Sequence, residues 1–312
     1  MSVTSIEPPA ADRPRVAIIA GPTACGKSAL ALEVAEALNG TIINADASQV
    51  YADLRILTAR PSDADMARVP HLLYGVLDGS EAGSAASWAA LARAAVADTL
   101  AVGRLPILVG GSGLYLRTLL DGIAAVPPID AEVREAVRAL DGVAAHAALT
   151  DEDPAAAARL NPADRQRVQR ALEVVRGTGR SLAAWQATAT NGLAATADIC
   201  GMIVDLPRDE LRARCDARFD AMLAAGGLEE VRTLAARRLD PGLPVMTAIG
   251  VPPLLAHLAG TLSLADAADD ARHATRRYAK RQQTWFRNQT PGWWRVDSAD
   301  AARATIRTVH IG

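Results

Sequence analysis

The chain has 312 residues, 50% of them hydrophobic but only 4% aromatic, 22% charged, and a formal net charge of -2. That length and apolar content suffice for one large or two modest domains with a real core and exclude a wholly disordered chain, while so small a net charge says nothing about partners. Cys25, Cys200 and Cys215 show no CxxC spacing, which excludes a disulfide framework and a thiolate zinc site and fits a reducing cytosol.

In chain order, residues 1–14 carry Glu7, Asp12 and three prolines ahead of any apolar run. That is the wrong order for a signal peptide, and a frayed tail is expected. Arg15 to Ala20 is a short β-branched apolar run ending in Gly21-Pro22, and an amphipathic helical pattern follows from Lys27 to about Leu38. Thr41 to Asn44 reads as a second strand, Ser84 to Val102 as an alanine-rich helix, and Leu105 to Val109 as a further strand ending in Gly110-Gly111. Strands alternating with helices predict a parallel sheet covered on both faces.

After Asp121 the pattern is helical from about Asp130 to Gln186, which marks residues 122–199 as an all-helical insertion. Its best-marked helix is expected to take Asn161 as N-cap, Pro162 at N1 and Asp164 at N3. Met202 to Leu206 reads as a strand returning to the sheet, followed by helices over Arg208 to Ala225, Leu228 to Arg238 and Leu264 to Arg287. The longest uncharged stretch, Pro241 to Ala265, holds four prolines and three glycines and cannot form one membrane-spanning helix. A cytoplasmic protein without a membrane segment is expected.

Gly21-Pro22-Thr23-Ala24-Cys25-Gly26-Lys27-Ser28 fits GxxxxGK[ST] between a strand and a helix, the context such a phosphate loop requires. Its glycines let successive amides face phosphate oxygens, Lys27 adds a point charge, and Ser28 can hold Mg²⁺. Of the 33 basic residues only Lys27 and Lys280 are lysine, so one of two lysines stands in this loop. Cys25 is either activated by the same amide field or a small loop filler. The fold class is therefore α/β, a P-loop NTPase-like parallel sheet flanked by helices over residues 15–121 and 200–312, with the helical insertion between.

The strand before Gly110-Gly111 lacks the terminal acid that nucleotide hydrolases use for Mg²⁺, which weakens an ATPase reading and favours group transfer from a phosphate-bearing donor. Ser112 follows at the carboxyl end of that strand, as a ligand contact or as a helix N-cap. Asp46, after the second strand, points to the same edge as a candidate general base or a turn residue.

From Ala271 to Arg287 the chain carries Arg272, Arg276, Arg277, Lys280, Arg281 and Arg287 and no acid. Like charges at i,i+4 oppose a helix by roughly 0.2–0.5 kcal/mol each, so an anionic partner is expected to offset them. Tyr278, Trp285 and Phe286 interleave as anchors or stacking faces. The alternative is a solvated helix face with its aromatics in the core. Arg165, Gln166, Arg167 and Arg170 form a second basic group, read either as a further footprint or as a surface helix accompanied by Asp164 and Glu173.

Taken in order, GPTACGKS, DASQVY, PHLL, LVGGSGLYLR, NPADRQRVQRALEV, DARFDAMLAAGGLEEV and TRRYAKRQQTWFR resemble the bacterial tRNA dimethylallyltransferases, also called tRNA isopentenyltransferases, over about Arg15 to Asp297. The resemblance implies transfer of a dimethylallyl group from dimethylallyl diphosphate to N6 of adenosine 37, on the 3′ side of the tRNA anticodon. The products would be N6-dimethylallyladenosine and diphosphate, with Mg²⁺ as cofactor.

It also implies roles for matching residues: Thr23 to Ser28 on the diphosphate, Asp46 as base, Ser112 beside the leaving oxygen and Arg218 on the diphosphate. Asp46, Ala47, Ser48, Gln49, Ser112, Arg134, Gln166, Arg167, Val168, Gln169, Arg170, Arg276, Arg277, Lys280, Arg281 and Gln282 would touch the anticodon stem-loop of a tRNA. A monomer is expected. The chain departs from the family pattern at Ala47 for Ser, Leu57 for Gly, Arg60 for Lys, Asn161 for His and Val251 for Tyr. The rival readings are a P-loop kinase for a small metabolite, a prenyltransferase acting on free adenine nucleotide, and a non-enzymatic RNA-binding module.

Overall fold

The structure, a computed structural model, describes residues 13–124, 126–187 and 190–308, so the expected tail lies almost wholly outside it. The chain divides into two compact units, one of residues up to Leu119 and from Thr196 onward, the other of Leu120–Ala195. The first unit opens with β1 (Arg15–Ala20), α1 (Lys27–Ala37), β2 (Gly40–Asn44), α2 (Asp63–Arg68), β3 (His71–Leu72), α3 (Ala85–Ala101), β4 (Leu105–Gly110) and α4 (Gly113–Asp121). In the second unit stand β5 (Gly122–Ile123), α5 (Ala131–Ala139), α6 (Gly142–Glu152), α7 (Pro154–Arg159), α8 (Arg165–Thr178), α9 (Leu182–Gln186) and β6 (Thr190–Asn191). The chain returns to the first unit with β7 (Asp198–Val204), α10 (Arg208–Ala224), α11 (Gly227–Ala236), α12 (Val251–Leu258), α13 (Leu264–Gln289), β8 (Trp294–Val296) and α14 (Ala299–Thr308).

Six parallel strands of the first unit form one sheet in the order β3-β2-β4-β1-β7-β8. A sheet covered on both faces needs no polar alternation, and Val16–Ala20 and the whole of β2 are accordingly buried. Because the strands run one way, the loops after β1, β2, β4 and β7 emerge at one edge, where α/β folds place ligands. The register Ala20 to Gly110 on one side and Ala20 to Ile203 on the other brings the phosphate loop beside the Gly110–Gly113 turn. Below the edge, Leu30, Leu32 and Val34 of α1 and Ala302 and Ile306 of α14 close the core. The second unit buries its own core of Val137, Leu149, Val168 and Leu172.

Several expectations change. Asn161 does not cap α8: its Oδ1 accepts from Ala163 N at 3.0 Å and closes a turn, and Asp164 is the N-cap, accepting from Arg167 N at 3.3 Å. A side chain that can hydrogen-bond two residues on makes its own turn before the helix starts. The returning strand is Asp198–Val204 rather than Met202–Leu206. Cys200-Gly201 hides its beginning in the sequence, yet Gly201 is needed there, since a Cβ would come within 2.4 Å of the Trp293 ring. The insertion is not wholly helical, because β5 and β6 pair antiparallel over two residues each. The short strands β3 and β8, and the helices α2, α12 and α14, are additions to the sequence reading. Among the described residues no helix is long and apolar enough to cross a membrane.

Candidate active site

From β1 the chain turns through Gly21–Gly26 into α1. The Val204 carbonyl backs Gly21 so closely that a Cβ would stand 2.5 Å from it. Gly26 precedes α1 at φ 93°, a region glycine occupies without strain. With neither a side-chain N-cap nor an acid in its first turn, α1 leaves its leading amides to an anion. Lys27 is buried with Nζ donating to the Pro22 carbonyl at 3.2 Å, and Ser28 is exposed beside it. Cys25 is buried against Gly21, the filler of the two roles open to it.

Asp46 is held by Asn44, which is fully buried. Asn44 Oδ1 accepts from Asp46 N at 2.8 Å, and Asn44 Nδ2 donates to the carbonyls of Asp46 at 3.1 Å and Leu73 at 3.0 Å. Asp46 Oδ1 accepts from Ser48 N at 2.9 Å, while Oδ2 has no hydrogen-bond partner among the described residues. One carboxylate thus makes the turn with one oxygen and offers the other to the cleft. Ser112 Oγ accepts from Ala47 N at 2.8 Å, so its hydroxyl reaches across to the Asp46 loop instead of capping α4. Gln49 Nε2 donates to the carbonyls of Thr58 at 2.8 Å and Ala59 at 2.9 Å.

Arg218 of α10 donates from Nη1 to Thr23 Oγ1 at 3.2 Å. Burial pushes its pKa down while the charge of Asp46 opposes that, and a guanidinium stays charged in either case. Burial first, then Tyr51 and Asp46, raises Tyr115 to about 12, and burial with Asp46 raises Tyr278 further. Thr23, Lys27, Ser28, Asp46 and Arg218 line one cleft together with the apolar side chains of Leu57, Phe219, Met222, Ala248 and Ile249.

That apolar lining was missed in the sequence, as was Arg214, which joins Lys27, Ser28 and Arg218 around a neighbouring opening and is held by Glu210 at 2.8 Å. Arg214, Arg218 and Met222 recur every four residues on α10, a signal that could have found both. Among the family departures, Leu57 joins the apolar lining, Val251 is fully buried at the start of α12, and Arg60 donates to the carbonyls of Tyr51 at 3.4 Å and Ala52 at 3.3 Å.

The basic helix α13 divides into two sets. Arg272 pairs with Asp220 at 2.5 Å and Arg276 with Asp216 at 2.9 Å, so acids of α10, invisible within α13 itself, offset part of its charge. Arg276 also lines, with Arg277, Lys280 and Arg287, a groove shared with Arg208 and Arg212 of α10, and apart from Arg276 none of these has an acidic partner among the described residues. Asp205 and Asp209 share the groove, Asp205 already engaged by Arg295 at 3.6 Å and Gln283 at 3.0 Å. Arg281 is exposed, its guanidinium 5.6 Å from the Tyr278 ring centroid. Gln282 departs from the expected RNA contact: it is 4% exposed and spends both its polar atoms on Thr23 N at 2.8 Å and the Gly111 carbonyl at 2.9 Å.

On α8, Gln166, Arg167 and Arg170 are exposed, Arg167 near Asp164 at 3.3 Å and Arg170 near the buried Glu173 at 3.5 Å. Gln169 Nε2 donates to the carbonyls of Val137 and Leu140, and Arg134 on α5 is half-buried. Val168 departs from expectation, since it is fully buried in the core of the second unit and presents no side chain to an RNA.

Comparison with known proteins places the chain among relatives of one family. The model of the IPP transferase family matches residues 49–289, and that of isopentenyl transferases matches residues 14–83. The tRNA dimethylallyltransferase of Sphingopyxis alaskensis is 60% identical over 280 residues, 89% of this chain and 92% of that protein. The enzyme of the same name from Rhodopseudomonas palustris is 55% identical over 302 residues, 95% of this chain and 96% of that one. Among solved structures, the full-length tRNA isopentenylpyrophosphate transferase of Bacillus halodurans superposes with TM-score 0.68 at 32% identity, covering 95% of each chain. A eukaryotic dimethylallyltransferase acting on tRNA superposes with TM-score 0.81 at 27% identity, covering 96% of this chain and 78% of that one.

Proposed function

The chain belongs to the IPP transferase family, and from that premise we propose that dimethylallyl diphosphate gives its allyl group to N6 of adenosine 37, beside the anticodon, leaving N6-dimethylallyladenosine and diphosphate. The chain is an enzyme, a prenyltransferase that transfers a dimethylallyl group to tRNA. The observation that carries the reading is the composition of one cleft, which brings Lys27, Ser28 and Arg218 of the phosphate site together with Asp46 and five apolar side chains.

An adenine amino group is a poor nucleophile because its lone pair is delocalised, so a carboxylate accepting its proton assists attack on the allylic carbon. Asp46 offers Oδ2 for this. Negative charge grows on the departing oxygen, where the α1 amides, Lys27 and Arg218 stabilise it. Ser112, whose oxygen accepts from Ala47 N, has a hydroxyl that also meets the Tyr278 phenol, so donation there requires that proton to turn from Tyr278. Leu57, Phe219, Met222, Ala248 and Ile249 keep water from the allyl group.

The donor set suits a magnesium ion carried by the diphosphate. Ser28 supplies one hard oxygen, and the described residues contain no cluster of three His, Cys, Asp or Glu that would hold a metal alone. Mg²⁺ characteristically takes few protein ligands and fills its shell with phosphate oxygens and water. Once bound it neutralises charge on the diphosphate, a role that needs no acid at the end of β4.

The test offers the protein labelled dimethylallyl diphosphate with unmodified tRNA, AMP or ATP. Label is expected on tRNA alone. Label on the free nucleotides, or transfer of a terminal phosphate from ATP, would overturn the reading in favour of a nucleotide prenyltransferase or a kinase. In the same assay Lys27→Ala and Arg218→Ala are each expected to weaken diphosphate binding and slow transfer about ten- to a hundredfold. Unaltered affinity and turnover in both would remove the phosphate cradle from the mechanism.

A further inference from the structure

The helix α13 that carries the RNA-facing cations has an inner face, and Gln282 lies on it one turn after Tyr278. Its Oε1 accepts from the Thr23 amide at 2.8 Å, and its Nε2 donates to the Gly111 carbonyl at 2.9 Å. One side-chain amide thereby ties the phosphate loop after β1 to the turn after β4. The fit requires glycine, because a Cβ on Gly111 would stand 2.1 Å from Nε2. Nearby, Trp285 covers Gly113, whose Cβ would come within 2.4 Å of the indole.

Thr23 is consequently held from two helices. Arg218 Nη1 donates to its hydroxyl at 3.2 Å and Cys215 Sγ stands 4.0 Å from its carbonyl, both from α10, while Gln282 of α13 takes its amide. A buried amide whose two polar atoms are both satisfied could reach RNA only by leaving two backbone groups unpaired. The Thr23 amide, being occupied, is equally closed to a phosphate oxygen. What Gln282 contributes is the position of the loop.

We propose that Gln282 is a positioning residue of the donor site: it sets the phosphate loop for diphosphate and links that loop to RNA seated on the outer face of α13, without touching RNA itself. This rests on the reading of the loop as a diphosphate site and of α13 as an RNA site. Coupling of two ligands is reciprocal, so tRNA should tighten diphosphate binding by the factor by which diphosphate tightens tRNA binding.

The test uses the full chain, inorganic diphosphate with Mg²⁺ as probe, and unmodified tRNA. In Gln282→Met, which keeps side-chain length and loses both hydrogen bonds, diphosphate affinity is expected to fall about ten- to a hundredfold. Affinity for tRNA without diphosphate should stay within about twofold of the wild type, and the effect of tRNA on diphosphate affinity should vanish. Weaker tRNA binding with unchanged diphosphate affinity would overturn the proposal and make Gln282 an RNA contact. Unchanged affinities, or a coupling that survives, would overturn it too.

Should Gln282→Met fail to fold, Gln282→Glu serves. It keeps an acceptor for Thr23 N but can donate to the Gly111 carbonyl only when protonated. Its diphosphate affinity relative to wild type should therefore recover as pH falls from about 8 towards about 5. A ratio flat with pH overturns the proposal. Wild-type protein that binds neither diphosphate nor tRNA would overturn the underlying reading, an outcome separate from a wild type that binds both and a variant that matches it.

Discussion

Asp46→Asn is expected to lose about 10²- to 10⁴-fold in the rate of prenyl transfer while keeping its substrates. Asparagine is the informative replacement. Its side-chain oxygen can still accept from Ser48 N, as Asp46 Oδ1 does at 2.9 Å, so the loop through Gln49 keeps its turn and only the basic carboxylate is lost. Asp46→Ala would remove both and confound base with loop. The charge also has a sign that can be checked. Asp46 shares its cleft with Lys27 and Arg218, so in the absence of tRNA its negative charge opposes the diphosphate. Diphosphate should therefore bind the Asn variant as tightly as the wild type or more tightly, while single-turnover transfer to saturating tRNA collapses. A variant turning over near the wild-type rate would end the assignment of Asp46 as base.

What was legible in the sequence had local causes. The strand, glycine loop and helix from Arg15 to Ala37 follow from an apolar run, a GxxxxGK[ST] spacing and a run of strong helix formers, each contained within a dozen residues, although the helix expected to be amphipathic is buried around most of its surface. What stayed hidden depends on partners distant in the chain. Neither the burial of Gln282 nor its bond to Thr23 can be read from a basic helix segment in which Gln282 and Gln283 follow Lys280 and Arg281, because both are set by a loop 259 residues away. The same applies to Arg276, whose partner Asp216 is on α10. Edge elements such as β8 are three residues long and carry no periodicity, and β7 is masked by a glycine that only the packing of Trp293 explains. Asn161 misled for the opposite reason, since a residue able both to cap a helix and to close a turn gives the same signal one turn too early.

The division within the basic helix changes which arginines should matter to RNA. Replacing Arg208, Arg212, Arg277, Lys280 and Arg287 together with Gln is expected to weaken tRNA binding and flatten its salt dependence, by up to roughly 0.7 to 0.9 log units of slope for each phosphate no longer neutralised. These five converge on one groove without acidic partners among the described residues, so thermal stability should hold or rise slightly as their mutual repulsion is relieved. Arg276→Gln should behave in the opposite way. Its Nη1 holds Asp216 Oδ2 at 2.9 Å, and Asp216 Oδ1 is buried with no hydrogen-bond partner among the described residues, so removing the guanidinium leaves a half-buried carboxylate uncompensated. That is expected to cost about 1–2 kcal/mol of stability. Composition alone would group Arg276 with its neighbours and anticipate that its loss relieves repulsion. The measurement is a salt titration of tRNA binding with thermal unfolding of the same proteins. Parallel slopes for wild type and the fivefold variant would move the RNA surface off the α10–α13 groove and onto α8, where Gln166, Arg167 and Arg170 stand exposed.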